Sequence, residues 1–268
     1  MFSTIWAPAL LTIATMMKPS LAVNPKRGFG FPSSATSVTD LATLSASSEL
    51  SWLYNWGRTP ASTTGLGSGP GSFVPMIWNG VDISSFVDFV ISGGYTEILA
   101  FNEPDAADQA NMLATDAAAL WIEYLEPLRS NHGVRLGAPA VTSSETGRQW
   151  LRDFITACDG NCNIDFLPLH WYGDSVDLWS QSWYFGQYIW SMHGEFSSLG
   201  PVWITEWAST STDLNDVAAF MNSSMAILDS YDWIERYAWF GGFRTTDTWG
   251  LLDTNGKLTN IGKIYTSA

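Results

Sequence analysis

Two stretches decide the fold: Ile98–Asp105, Ile-Leu-Ala-Phe-Asn-Glu-Pro-Asp, and Pro201–Ala208, Pro-Val-Trp-Ile-Thr-Glu-Trp-Ala. Each is a short run of apolar residues closed by a polar one, the pattern of a strand buried on both faces in a parallel sheet. Each run carries a carboxylate at its C-terminal end, Glu103 in the first and Glu206 in the second. In an α/β barrel that end faces the loops, where chemistry is placed. Asn102 lies beside one acid and Trp207 beside the other, so the pair suggests two carboxylates in an aromatic cleft.

Working outward, strand-like and helix-like segments alternate along the chain. Strands are predicted over 27–31, 52–56, 73–78, 97–101, 135–141, 166–172, 202–206 and 237–240. Helices are predicted over 81–92, 109–131, 148–158, 178–199 and 214–231, with a short one over 40–50. Asp108 is the expected N-cap of the second of these and Gly133 its left-handed end. Thr212 or Asp213 is expected to cap the last. Residues 59–72 (TPASTTGLGSGPGS) form a loop. Eight strands with intervening helices predict one α/β domain over residues 23–268, a single (β/α)8 TIM barrel.

The 268 residues are 46% apolar and 14% charged, enough to bury a large core. A formal net charge of −14 disfavours nucleic acid and anionic membrane as partners. A neutral polysaccharide is not repelled, and the 15 Trp suit stacking on sugar faces. Met1–Ala22 is read as a secretory signal peptide. Its apolar stretch from Leu10 to Met17 is too short to span a bilayer, and Ser20-Leu21-Ala22 offers small residues for cleavage. The alternative for this stretch is a buried strand or helix. The expectation is a secreted, monomeric protein, with cell-wall association a further possibility.

Cys158 and Cys162 flank Asp159-Gly160-Asn161, a turn able to bring the two Cα atoms together, so a disulfide is expected. Asn222-Ser223-Ser224 is a glycosylation sequon. His132, His170 and His193 lack metal-type spacing, and the Gly-rich run 65–71 lacks the Lys of a phosphate loop. No metal or cofactor is expected.

Glu103 ends the fourth predicted strand and Glu206 the seventh, so the two acids face each other across the barrel mouth. Both Asn102 and Glu103 can point into the cleft only if the strand end is bulged. Alternation puts Ile204 and Glu206 on one face, with Ile204 filling the barrel. It also puts His170 and Tyr172 together as candidate sugar contacts, with the Tyr172 hydroxyl able to reach Glu206; the alternative for His170 is a core histidine satisfied by backbone. Trp239 is placed as a floor for the cleaved sugar. Tyr54, Asn55 and Trp56, with Trp78 and Asn79, are candidates for outer sugar contacts.

The segments WLYNWG (52–57), FVPMIWN (73–79), ILAFNEPD (98–105), RLGAPAV (135–141), CDGNCNIDFLPLHWYG (158–173), VWITEWA (202–208) and RYAWFGGF (236–243) resemble glycoside hydrolase family 128. Its members are (β/α)8 retaining enzymes acting on β-1,3-glucans. The resemblance implies an acid/base role for Glu103 and a nucleophile role for Glu206. It also implies sugar contacts by Asn102, Tyr172, Trp207 and Trp239. Retention needs the two carboxyl groups about 5–5.5 Å apart, and Glu103 protonated with Glu206 pushing it that way. The expectation is an endo-acting β-1,3-glucanase. The alternatives are a non-catalytic β-glucan-binding wall protein, or a β-1,4-glucanase or mannanase on the same barrel.

Overall fold

A computed structural model describes residues 24–267 except 33–37, 48, 62–64, 70 and 174–177. The predicted signal, residues 1–22, lies outside the described residues.

Among the described residues seven strands run parallel: β1 (Arg27–Gly30), β2 (Trp52–Tyr54), β3 (Glu97–Ile98), β4 (Arg135–Leu136), β5 (Leu167–Gly173), β6 (Val202–Ser209) and β7 (Ile234–Trp239). Five of them form one sheet in the order β2-β1-β7-β6-β5, and β3 pairs with β4. The predicted third strand, 73–78, is held by single parallel bridges, Phe73 to Leu53 and Met76 to Leu99. Parallel bridges from Phe166 to Gly137 and from Leu169 to Val141 join β5 to the end of β4. The ring therefore closes as a (β/α)8 barrel of eight parallel tracks, with β3 on the fourth track and β6 on the seventh.

Alternation along each strand sorts side chains into two cores. Trp52, Tyr54, Val74, Met76, Leu99, Phe166, Trp203 and Ala238 fill the barrel. Leu53, Ile98, Leu136, Leu167, Ile204 and Tyr237 face the helices. Within the barrel, Trp203 stacks on Phe166 at 3.9 Å and leans on Trp52 at 5.3 Å. The Arg236 guanidinium caps Trp203 at 4.4 Å and pairs with Glu97 at 2.6 Å. Gly28 and Gly30 make room for this filling. A Cβ on Gly28 would sit 2.5 Å from the Trp52 ring, and one on Gly30 2.5 Å from the Trp56 ring.

The helices form the outer layer: α1 (Val38–Ser45), α2 (Ile83–Gly93), α3 (Ala114–Leu120), α4 (Glu126–His132), α5 (Glu145–Cys158), α6 (Leu178–Phe196), α7 (Leu214–Ser230) and α8 (Asn260–Ser267). A π-helical turn, Trp121–Leu125, joins α3 to α4. Asp213 caps α7 by accepting from Asn215 N–H, and Gly133 ends α4 in the left-handed region. Asp108 caps nothing, because the helix begins only at Ala114 after Leu113. Residues 104–112 instead turn back over the barrel mouth, held by Ala110 N–H to Asn102 O and Met112 N–H to Pro104 O. Cys158 and Cys162 are disulfide-bonded across a Cα separation of 5.4 Å.

Candidate active site

Glu206 reaches the mouth through a defect in its strand. Leu169 and His170, consecutive on β5, pair with Ile204 and Glu206, so Thr205 is an extra residue. On the other side Ile204 pairs with Tyr237 and Trp207 with Trp239, so Thr205 and Glu206 together face Ala238, again one residue too many. Trp203 points into the barrel and Ile204 points out. The bulge at Thr205 shifts the phase by one, so Glu206 points in and Trp207 points out. The expectation that Ile204 and Glu206 share a face is thus corrected.

Glu103 is turned inward by a different device. Its backbone is left-handed, φ 43°, and its N–H donates to Ala140 O at 2.6 Å. That conformation costs a non-glycine residue about 1–3 kcal/mol and is typical of functional sites. It brings both Asn102 and Glu103 to the cleft with no bulge in the strand. Asp105 then ties the loop to the next one, accepting from Thr142 N–H at 3.0 Å and the Thr142 hydroxyl at 2.6 Å.

Two donors engage Glu206, which is 5% exposed, and a third hydroxyl lies close by. The Trp56 indole N–H donates to Oε1 at 2.7 Å, while the Tyr54 hydroxyl, 3.4 Å from the same oxygen, has its shorter bond to Thr205 O at 3.0 Å. The Tyr172 hydroxyl donates to Oε2. Burial, and then the Glu206 charge, push both tyrosines well above the ordinary phenol range, so they remain donors.

His170 stands between the acids. Its Nδ1 lies 2.8 Å from Glu103 Oε1 and its Nε2 3.5 Å from Glu206 Oε1. Burial lowers the affinity of His170 for a proton, but the Glu206 charge and the Glu103 bond outweigh it and raise its pKa above 6.5. Burial raises Glu103, but the hydrogen bond and charge of His170 outweigh it and hold the carboxyl below its ordinary 4.5. In the free site the proton therefore rests on His170. The expectation that Glu103 is protonated, with Glu206 pushing it that way, is met by an opposing pull from His170.

One ligand atom from each of Glu103, His170 and Glu206 lies within 4.8 Å of the other two. A cation could use such a set. Here, however, N–H and O–H donors already engage both Glu206 oxygens and the facing oxygen of Glu103, so no metal is assigned. Above the acids opens a cavity of about 550 Å³, walled by Trp56, Trp78, Gln109, Tyr172, Phe240 and Phe243. Close carboxylates, a proton donor and aromatic walls together equip the cavity for glycosyl transfer.

A family model for the glycosyl hydrolase catalytic core matches residues 28–265. The chain is similar to a GH128 (subgroup III) curdlan-specific exo-β-1,3-glucanase from Blastomyces gilchristii, solved with glucose. The identity is 32% and the TM-score 0.76, over 92% of this chain and 100% of that one. The chain belongs to glycoside hydrolase family 128. A GH128 (subgroup II) endo-β-1,3-glucanase from Sorangium cellulosum is 31% identical, with TM-score 0.75 over 91% of this chain and 98% of that one. A GH128 (subgroup I) endo-β-1,3-glucanase from Amycolatopsis mediterranei, solved with laminaritriose, is 30% identical, with TM-score 0.72 over 91% and 99%. Alkali-sensitive linkage protein 1 of Schizosaccharomyces pombe is 34% identical over 234 residues, 81% of this chain, which spans only 40% of that relative's length.

In this GH128 chain Asn102, Tyr172 and Trp78 line the cavity with both glutamates, and Tyr54 lies beneath, touching Glu206. His170 touches both acids but is 1% exposed, so it acts behind the cavity wall. Trp207 and Trp239 are fully buried and do not reach the sugar space. Trp207 packs against Tyr237, Trp239 and Tyr265 and donates to Ser224 on α7 at 3.0 Å. Trp239 donates to Trp249 O at 2.8 Å. Phe240, one residue on, takes the wall position instead. Asn55 is buried in a turn, donating to Thr59 O and accepting from Gly57 N–H. Asn222 is exposed on α7, but the Ser224 hydroxyl of its sequon is buried against Phe220 O and Trp207.

Sequence reasoning missed Gln109, Phe240 and Phe243 as wall residues, and missed that Trp56 binds the Glu206 carboxylate. The alternating glycines of β1 carried the signal for Trp56, because lumen glycines imply a large ring lying over them.

Proposed function

We propose that this chain hydrolyses β-1,3-glucan with retention, Glu206 acting as nucleophile and Glu103 as acid/base. The observation carrying this reading is that oxygens of both carboxylates lie within 4.8 Å in one cavity. Facing oxygens this near favour the roughly 5–5.5 Å carboxyl separation of retaining enzymes over the roughly 6.5–9.5 Å of inverting ones, which leaves room for a water.

In the first step a Glu206 oxygen bonds the anomeric carbon as the glycosidic C–O bond breaks. The leaving oxygen takes a proton from Glu103, which His170 Nδ1 loads beforehand across 2.8 Å, so that the first step leaves Glu103 ionised and His170 neutral. In the second step a water loses its proton to Glu103, attacks the anomeric carbon and releases Glu206. The proton then returns to the Glu103–His170 pair. Trp56 and Tyr172 fix the Glu206 carboxylate for both displacements, with Tyr54 packed beneath it. The β-1,3 linkage rests on the printed activities of the similar GH128 enzymes.

The same reading takes residues 23–268 as one catalytic domain, secreted after loss of residues 1–22 and working as a monomer on a neutral polysaccharide. The Cys158–Cys162 disulfide supports an oxidising compartment. No described helix is long and apolar enough to cross a membrane. Endo action is supported by a second cavity beside the catalytic one, lined in part by the same Trp56 and Trp78.

Product analysis of laminarin and a β-1,4-glucan, with Glu103→Gln and Glu206→Gln alongside, tests the reading. Oligosaccharides from laminarin alone, lost in both variants, are expected. Binding without products would leave a wall-binding protein instead.

A further inference from the structure

Helix α6, in the outer layer of the barrel, presents aromatic rings to solvent. Trp183, Tyr184 and Trp190 are 52%, 58% and 49% exposed, and among the described residues no other Trp is as exposed. None of the three lines the catalytic cavity. Trp183 and Trp190 are nearly two turns apart, so they share one face with about 10 Å between them along the axis. Trp190 is braced there. Its indole N–H donates to the Tyr231 hydroxyl at 2.9 Å, and its ring stands at a steep angle to Tyr231 at 5.3 Å and to Trp233 at 5.4 Å. Gly186 lies one turn before Trp190 and Gly194 one turn after it. A Cβ at either would meet nothing within 4 Å, so packing requires neither glycine. Glycine is a poor helix residue, and what these two preserve is open space beside the indole. From Leu178 to Met192 the helix carries no charged residue, in a chain of formal net charge −14. Such a face offers nothing to a salt-bridging protein partner and no Lys or Arg to an anionic membrane. It suits an uncharged polymer whose sugars have C–H faces for the indoles and hydroxyls for the exposed Gln187 amide and Tyr184 hydroxyl.

We infer that α6 is a second, non-catalytic glucan-binding surface, on which Trp183 and Trp190 stack on separate sugars of one chain. The surface lies on the helix layer, apart from the mouth where Glu103 and Glu206 act. It holds the enzyme on insoluble glucan, because a second contact with the same material raises the effective concentration of chains at the mouth. The inference rests on the β-1,3-glucan reading for the identity of the sugar and extends it to the physical form of the substrate.

The test uses the full chain and curdlan, an insoluble β-1,3-glucan. In a Glu206→Gln background, which leaves the polymer intact, Trp183→Ala combined with Trp190→Ala should weaken curdlan binding about tenfold. Trp183→Tyr combined with Trp190→Tyr, which keeps a ring at each position, should restore most of it. Trp183→Ala alone should give part of the loss while leaving the Trp190 contacts with Tyr231 and Trp233 in place. In the active chain the Ala pair should slow sugar release from curdlan by a similar factor and leave kcat/KM for soluble laminaritetraose unchanged. Unchanged curdlan binding in the Ala pair would overturn the inference. So would an equal loss on laminaritetraose, which would place the damage in the barrel. Self-association, or flotation with phosphatidylcholine vesicles, that the Ala pair abolishes while curdlan binding persists would assign the face to a second copy or to a membrane instead. A parent that hydrolyses neither substrate would end the enzyme reading, whereas ring-dependent binding to curdlan would still support the surface. Ring-dependent binding to cellulose and none to curdlan would overturn the β-1,3-glucan assignment.

Discussion

His170 Nδ1 lies 2.8 Å from Glu103 Oε1, and the pair shares one proton held mainly on the imidazole. A general acid backed by a histidine keeps its proton supply to higher pH than an isolated carboxyl. The alkaline limb of kcat/KM should therefore follow the raised His170 value, above 6.5. In His170→Gln the limb should fall towards the carboxylate range, with kcat reduced about a hundredfold. An alkaline limb that does not move would mean that His170 only fills space.

The same pair makes stability depend on pH. The His170 contribution is complete below its ordinary 6.5 and is lost as pH rises through its raised folded value. The Glu103 contribution is present above its ordinary 4.5 and is lost as pH falls through its lowered folded value. Parent and His170→Gln should differ most in Tm between 4.5 and 6.5, converging on either side. Thermal melts across that window decide it, and a constant difference would contradict the ion pair.

Gly30 sets the position of Trp56. A Cβ there would lie 2.5 Å from the ring, so Gly30→Ala should push the indole off Glu206, where it now bonds at 2.7 Å. Overpacking of this kind costs about 1–3 kcal/mol. Activity should fall with little change in circular dichroism. Adding Trp56→Phe to Gly30→Ala should recover stability but not activity, because the smaller ring fits and the N–H is gone. If the double variant is as unstable as the sum of the two single ones, the contact is not the cause.

The barrel was legible because buried parallel strands announce themselves as apolar runs, and both acids sat where such runs end. The aromatic assignments around Glu206 were not legible, because period-two counting fails at Thr205. One unpaired residue exchanges the faces of Glu206 and Trp207, and nothing in Val-Trp-Ile-Thr-Glu-Trp marks it. The left-handed turn at Glu103 was equally hidden, since glycine is the usual sign of positive φ and here a glutamate adopts it. Gln109 was taken for helix, whereas tertiary bonds from Asn102 hold it in a loop over the cleft.

Trp207 gives the last prediction. Flanked by the Glu206 carboxylate in sequence, it points the other way, fully buried against Trp239, Tyr265 and the Ser224 hydroxyl. Trp207→Phe removes the donor to Ser224 and part of the ring, so stability should drop by about 1–3 kcal/mol. Below the melting transition, KM for laminarin should be unchanged. Phe240→Ala should do the reverse, since Phe240 lines the cavity and packs edge-on against Trp56 and Tyr172. Its loss should raise KM more than it lowers Tm. Tm and KM measured on both variants decide the matter, and a KM effect from Trp207→Phe matching that of Phe240→Ala would show that the Thr205 bulge does not separate the two faces.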